Sequence, residues 1–482
     1  MFKNLKFSKN FIILFFSFSA ICFFFIDYTE ESDIWFLLSH GRYVLNNGFP
    51  HIDILSMHTG LNFVMQQWLS SVIFYIIYNY LGKIAFYVFI FVLNLIMTFL
   101  MYKLCLIVSN NKKFASCFMS VITIVLLQRS FIVPRPQMFT YIILLVLLIM
   151  LELFSSKRKK YIYCLPILSI LLINFHGAMW PILFIFCMPY VAELILKKDK
   201  DVFKLLSIML LSVLVGLINP YGIETLLYSL KSYGLEYIRL VVGEMRSFNL
   251  LGEPFVIYWS GFIVLVFFIC NLLILKYSNK KNIRVAHLLL FYGTFFMSLS
   301  SVRNISLFII GTLPFLVKYF QFKDINKFEL NKGWIINYII IFIIFIAVFI
   351  FALNDNRHIF EHVVNDAVVY LNNHEENKNV KIYTEYHFGS TFEYYGYKPY
   401  LDTRAEVFIK KMNKKEDILE EYIRFNTDIS FRDEFIKKYD FDYYVLLDEY
   451  FELVEYLINY EDIDYELVLA HEKFFLVKKV SE

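Results

Sequence analysis

Four groups of side chains in this 482-residue chain are placed to do chemistry. The first is a carboxylate. Asp33 ends the acidic stretch Asp27-Tyr-Thr-Glu-Glu-Ser-Asp33 and opens a segment in which Trp35, Leu38 and Tyr43 recur at helical spacing. At the start of a helix on a membrane surface, such a carboxylate can take a proton from a hydroxyl or hold a metal ion. It can equally cap the helix, as can Ser32. The second group is arginine. Arg129 and Arg135 flank the short turn 130–134, Arg303 lies in the turn 300–304, and Arg246 follows Glu244 in the loop 221–254. Guanidinium groups are suited to bidentate grip on phosphate, whereas the plainer alternatives are snorkelling at a helix end or pairing with Glu244 or Asp33. The third group ends apolar runs: Asn174-Phe-His176-Gly177 and Asn219-Pro-Tyr-Gly222. Both read first as helix stops, and His176 can also donate a hydrogen bond or ligate a metal. Asp402 and Arg404, near the C-terminus, form the fourth.

What must position these groups follows from composition. Hydrophobic residues make up 59% and charged residues 18%, against roughly 45–50% and ~25% in soluble domains. That much apolar surface has no interior to hide in, so a soluble enzyme is excluded; a net charge of +3 implies no bulk attraction to nucleic acid. Apolar runs occupy 11–26, 84–108, 114–128, 138–154, 161–175, 182–196, 205–217, 255–275, 285–299, 305–319 and 334–353, which gives about eleven candidate transmembrane helices. With these spans the basic groups Lys3/Lys6/Lys9, Lys112/Lys113, Lys157–Lys160, Lys197/Lys198/Lys200, Lys276/Lys280/Lys281/Arg284 and Lys323/Lys327/Lys332 fall on one side. Basic loops stay in the cytoplasm, so the N-terminus is expected inside and the C-terminal part outside. This holds only if the apolar stretch 68–82 is an interfacial helix and not a span, which its Trp and Tyr content and short length favour.

The expected organisation is therefore a membrane domain over 1–353, with a first outer loop at 27–83, and an extracytoplasmic domain over 354–482. Beyond 354 helical periodicity at 359–371, 415–425 and 433–439 alternates with short β-rich runs at 380–384, 443–447, 465–469 and 474–477. That pattern predicts a small α/β domain. The six cysteines lie in apolar runs without zinc-type spacing and behave as small hydrophobes. Neither a phosphate-binding glycine loop nor a nucleophile elbow is present. Glu152 and Glu193, each one turn from a lysine cluster, read as solvated helix ends or ion pairs.

Taken in order, several stretches resemble a bacterial polytopic glycosyltransferase of the GT-C class, in the branch that carries an exported C-terminal α/β domain. They are Asp33-Ile-Trp35, His40-Gly41-Arg42, Gly48-Phe-Pro50 with Asp53 and Ser56, Gln67-Trp68-Leu69, Arg135-Pro136-Gln137, Asn174 with His176-Gly177, Asn219-Pro220-Tyr-Gly222, Glu244 and Arg303-Asn304. The tail adds Glu385-Tyr386 with Gly389, Asp402-Thr-Arg404 and 443–447. The resemblance implies a multi-pass cell-membrane enzyme with two interfacial helices in its first outer loop. It would transfer a sugar, with inversion, from a polyprenyl-phosphate carrier to an envelope glycan, lipid or protein acceptor on the outer face.

In that class an acid of the first outer loop is the base, which maps onto Asp33. Arg129, Arg135, Arg303 and Arg246 become candidates for the donor phosphate. His176, Asn174, Gln67, Glu244, Asp402 and Arg404 become candidates for other substrate contacts. One departure is that Gln67 stands where many relatives carry Glu before Trp-Leu, which bears on metal use; a divalent metal is possible and none is required by the sequence. The competing readings are a lipid-linked-sugar transporter or flippase, a polysaccharide polymerase, and a non-catalytic envelope-assembly protein.

Overall fold

The computed structural model describes residues 9–28, 31–156, 158–232, 234–248, 254–278, 282–320, 362–480 and isolated positions between 343 and 354. The side chains of 9–15, 129, 236 and 254–258 are outside the described set. Two compact units result, each assembled from separated stretches of chain. The first holds Met1–Ile26, Tyr87–Leu226 and Gly243–His358; the second holds Asp27–Phe86, Leu227–Val242 and Ile359–Glu482.

The first unit is helical. It contains α1 (Lys9–Phe23), most of α4 (Gly82–Val108), α5 (Lys113–Phe131), α6 (Gln137–Ser155), α7 (Leu165–His176), α8 (Trp180–Leu196), α9 (Asp201–Val215), α12 (Pro254–Ser278), α13 (Val285–Ser300) and α14 (Ile305–Tyr319). Every expected apolar run therefore holds a helix except 334–353, which lies almost wholly outside the described residues. Among the described residues, five helical stretches are long and apolar enough to cross a membrane: Trp68–Val108, Gln137–Ser155, Lys159–Leu196, Trp259–Ser278 and Val302–Tyr319. Lys113–Gln128 and Val285–Ser300 are shorter apolar helices. The expected count of about eleven goes beyond these.

Local sequence sets the helix ends. Pro136 precedes α6, and Pro166 and Pro181 sit in the first turns of α7 and α8, where the missing N–H costs nothing. His176 leaves the helical region at φ −158°, ψ 73°, so α7 and α8 are separate helices joined by a turn at Gly177–Met179. Small residues allow close packing. A Cβ on Gly311 of α14 would lie 2.6 Å from the Thr294 side chain of α13.

The second unit combines first-loop helices with a mixed sheet. Its loop part holds α2 (Asp33–Asn47) and α3 (Trp68–Ile76). The chain after α3 widens into a π-turn at Ile77–Leu81 and then reaches Gly82, whose φ of +85° a side chain would disfavour, so α4 starts afresh there. The stretch 227–242 supplies the end of α10 (Ile223–Ser232) and α11 (Glu236–Val241). The C-terminal part runs α15 (Asn365–His374), β1 (Ile382–Thr384), α16 (Gly389–Tyr394), α17 (Lys410–Asn413), α18 (Ile418–Thr427), α19 (Ile429–Tyr439), β2 (Tyr443–Leu447), α20 (Phe451–Ile458), β3 (Tyr465–Ala470) and β4 (Phe474–Lys479).

The strand order is β1-β2-β4-β3, with β1 and β2 parallel and the other pairs antiparallel. Alternation sorts the two parallel strands, β1 and β2. Ile382, Tyr443 and Val445 join Val368 and Leu371 of α15 on one face, while Tyr383 and Tyr444 stack among Phe425, Phe435 and Phe441 on the other. With both faces covered, β1 and most of β2 are fully buried, as parallel strands require.

Candidate functional site

In the first unit, three polar segments that end helices meet at one end of α6. Arg135, just before α6, donates from Nη1 to Glu244 Oε1, and Arg303, just before α14, donates from Nε to Glu244 Oε2 over 3.3 Å. Glu244 is held by its backbone as well, because its carbonyl accepts the Ser301 hydroxyl at 2.9 Å. The side chains of Arg135, Arg303 and Glu244 keep 22%, 31% and 28% of their surface exposed. Burial alone would raise the Glu244 carboxyl; Arg303 and Arg135 outweigh it and hold it well below the usual carboxylate range. Arg246 belongs to the same segment, since its carbonyl accepts the Val302 N–H at 3.1 Å, and its side chain is exposed. The Arg129 side chain is outside the described residues.

His176 and Asn174 sit at the same end of the unit. Thr140, in the first turn of α6, lies 2.9 Å from His176 Nδ1. Asn174 Nδ2 donates to Ile170 O at 2.8 Å and Ile218 O at 3.0 Å, tying the end of α7 to the chain leaving α9. Asn219 builds the following turn: its Oδ1 accepts the Tyr221 N–H and the Thr225 hydroxyl, and its Nδ2 donates to Gly216 O and Gly222 O. The helix-stop reading of both motifs is what the geometry displays.

The other end of α6 is tied by a second polar group. Arg284, at the start of α13, grips Glu193 of α8 (Nη2 to Oε2, 2.7 Å) and Glu152 of α6 (Nη1 to Oε2, 2.8 Å). Glu152 also accepts from Tyr190 Oη at 2.7 Å and lies 2.9 Å from His287 Nε2. Both carboxylates are buried. The ion-pair alternative thus describes them, with Arg284 as the main partner and Lys197 contributing only at Glu193.

In the second unit Asp33 is the first residue of α2 and is half-buried, while Ser32 at the cap makes no capping hydrogen bond. Eight successive residues of α2, Ile34–Gly41, are buried. Gly41 is needed for this, because a Cβ there would lie 2.2 Å from Ser71 O of α3. Gln67, at the start of α3, accepts from Gln66 Nε2.

Asp402 and Arg404 are buried. Arg404 Nε donates to both Asp402 oxygens at 2.9 and 3.0 Å, Nη1 to Asp53 Oδ1 at 2.6 Å and to His40 Nε2 at 3.2 Å, and Nη2 to Glu393 Oε1 at 3.1 Å and to Asp402 Oδ2. All five guanidinium protons are committed inside the unit, leaving none for a substrate. Asp53 Oδ2 in turn accepts the Ser56 N–H at 3.0 Å and the Ser56 hydroxyl. Against the cost of burial, Arg404 and Ser56 pull the Asp53 carboxyl down to about 2. Burial and the neighbouring Asp402 push the Glu393 carboxyl well above the ordinary range, against the opposing pull of Arg404.

His40, Asp53 and Glu393, like Arg284 and His287 in the first unit, were not singled out as site candidates from sequence. His40 and Asp53 stand in stretches that carry the resemblance, and Asp402 and Arg404 stand two residues apart, a spacing that lets a carboxylate turn back on an arginine. Among the described residues, no group of three or more His, Cys, Asp or Glu side chains is arranged to hold a metal ion.

Two crystal structures of an oligosaccharyltransferase from Archaeoglobus fulgidus share the fold. One, tethered by a disulfide bond to an acceptor peptide containing the NVT sequon, superposes with a TM-score of 0.59 at 11% identity over 92% of this chain and 69% of that one. The other, the apo form, gives a TM-score of 0.58 at 10% identity over 92% and 70%. At such identities the likeness is one of fold alone. No family model matches the chain, and no curated protein sequence matches it.

Proposed function

We propose that this chain is a membrane glycosyltransferase that moves a sugar from a polyprenyl-phosphate carrier to a glycan, lipid or protein acceptor outside the cytoplasm. The observation that carries the reading is the pair of partly exposed guanidinium groups, Arg135 and Arg303, on either oxygen of Glu244 at one end of a GT-C-type membrane unit. Two guanidinium groups that grip a carboxylate have the spacing and charge to grip a phosphate. In the displacement the acceptor oxygen bonds to the anomeric carbon as its bond to the phosphate oxygen breaks, with inversion. The electron pair leaves on the carrier phosphate, whose charge Arg135 and Arg303 stabilise, with Arg246 and Arg129 as further phosphate contacts. Asp33 is the base that takes the acceptor hydroxyl proton. His176 and Asn174 order the end of the membrane unit that carries the arginines.

The transporter reading requires a path through both ends of the bundle. The grip of Arg284 on Glu152 and Glu193 ties α6, α8 and α13 together at the far end and supports a transferase instead. The deciding experiment compares lipid-linked sugars and envelope glycans by mass spectrometry in cells carrying the native protein or Asp33→Asn at matched levels. The variant is expected to leave product undetectable while the lipid-linked donor accumulates; undiminished product refutes the assignment.

A further inference from the structure

We infer that Arg404 is a positioning residue: by gripping His40 and Asp53 of the first-loop segment together with Glu393 and Asp402 of the C-terminal segment, its guanidinium fixes the orientation of α2, the helix that opens on Asp33. The inference rests on the proposed role of Asp33 only for its catalytic consequence; the grip itself does not.

Between α2 and α3 the chain 48–67 has no helix, and its isolated bridge is Ile52 to Asn62. It lies on the C-terminal part through backbone bonds from Met57 to Pro399 and from Asn62 to Asn413, and through His58 on Tyr400 O and Lys415 on Thr59 O. These contacts hold the loop; α2 itself packs on α3 at Gly41 and stacks Trp35 on His362, ring centroids 3.6 Å apart, contacts without charge that leave its roll and slide to a directional grip. α2 touches α16 through Arg42 Nη2 to Glu393 O at a long 3.4 Å, and through the Trp35 and Tyr394 rings, whose centroids are 5.3 Å apart. The Arg404 contact to His40 is the link from the body of α2 to a buried charge.

His40 and Asp33 are separated by two turns of one helix, roughly 10 Å of rise. A roll or slide of α2 at His40 therefore carries Asp33 with it. The planar fork matters: Nη1 reaches forward to His40 and Asp53 while Nε and Nη2 reach back to Asp402 and Glu393. An ammonium presents its donors from a single point and cannot span both sets. Because His40 Nε2 accepts from Arg404, its proton is on Nδ1, which is buried without a partner among the described residues. Glu385 and Asp33 lie outside this contact set, so the groups facing Arg404 are His40, Asp53, Glu393 and Asp402.

The test uses the full chain in lipid nanodiscs, with hydrogen exchange read on the peptide 33–47 and, as an internal reference, on 137–155 of the first unit. In Arg404→Lys, exchange of 33–47 is expected to rise tenfold or more while 137–155 stays within twofold. Asp53→Asn, which keeps the shape and removes one charge, is expected to change the same peptide in the same direction by a smaller factor. Sugar transfer is followed with the cells' own lipid-linked-sugar extract as donor. Per folded molecule, the maximal rate is expected to fall at least tenfold in Arg404→Lys with the apparent KM for the extract within twofold. Unchanged protection of 33–47 in both variants overturns the inference, as does an equal loss in both peptides, which marks a residue that holds the whole protein. If protection of 33–47 falls as expected while Asp33→Asn retains full transfer, the grip stands and the proposed role of Asp33 is what fails.

Discussion

Glu385→Gln is expected to make the second unit more stable at neutral and alkaline pH, because the native carboxyl is folded into a place that suits only its protonated form. Glu385 follows β1, and its N–H extends the ladder to Val445 O at 3.1 Å. The side chain is fully buried; Oε2 accepts from Tyr422 Oη, and Oε1 has no hydrogen-bond partner among the described residues. Burial, opposed by the Tyr422 bond and reinforced by Glu449, lifts the carboxyl from its ordinary 4.5 to about 8. Between those values the folded chain keeps a proton that the unfolded chain has lost, so stability falls as pH rises, by ~1.4 kcal/mol per pH unit. The accumulated cost by pH 8 is at most ~5 kcal/mol. A glutamine is neutral throughout, and its amide oxygen can still accept from Tyr422. Urea unfolding of native and variant chains in mixed micelles at pH 5, 6, 7 and 8 reads the effect. The gap in stability between the two is expected to widen with each step. Parallel pH dependences would refute the reasoning, because Glu385 would then titrate alike folded and unfolded.

Asp53 should show the opposite sign. With its carboxyl drawn down to about 2 by Arg404 and Ser56, it contributes ~2 kcal/mol that is fully present above about pH 4 and lost as pH falls toward 2; unfolding curves of native protein and Asp53→Asn should converge across that window. Gly41→Ala should push α2 from α3, since the new methyl would lie 2.2 Å from Ser71 O and 2.6 Å from Tyr75 Cβ; a loss of about 1–3 kcal/mol in denaturant unfolding is expected.

Much of the architecture was legible where one local pattern suffices. The apolar runs marked α1, α4 to α9 and α12 to α14, because a segment such as Gln137–Ser155 with one acid in nineteen residues has few alternatives. The four strands fell within a few residues of the short β-rich runs, and a helix begins at Asp33 as its spacing suggested. α16 and α20 were missed, since six and eight residues give too little periodicity to stand out. Nor did any local signal give the order β1-β2-β4-β3, which depends on pairings between strands distant in sequence. The association of the first loop with the C-terminal part was equally hidden. Arg404 and Asp53 are 351 positions apart, and only the folded chain reveals that one side chain serves both segments.

The two arginine groups show why residue type alone could not separate grip on a ligand from grip on the fold. Both pair guanidinium with carboxylate, and both were candidates for substrate contacts. They differ in water. Arg404 is 5% exposed, its carboxylate partners are fully buried, and its donors are all committed; removing one partner from such a pair costs about 3–5 kcal/mol, so an incoming phosphate has nothing to gain there. Arg135 and Arg303 share one carboxylate, and all three side chains keep about a quarter of their surface exposed. A phosphate carries more charge than Glu244 and can share that grip. Exposure, read from the fold and invisible in the sequence, is what separates Arg135 and Arg303, the proposed phosphate contacts, from Arg404, whose donors are all committed inside the fold.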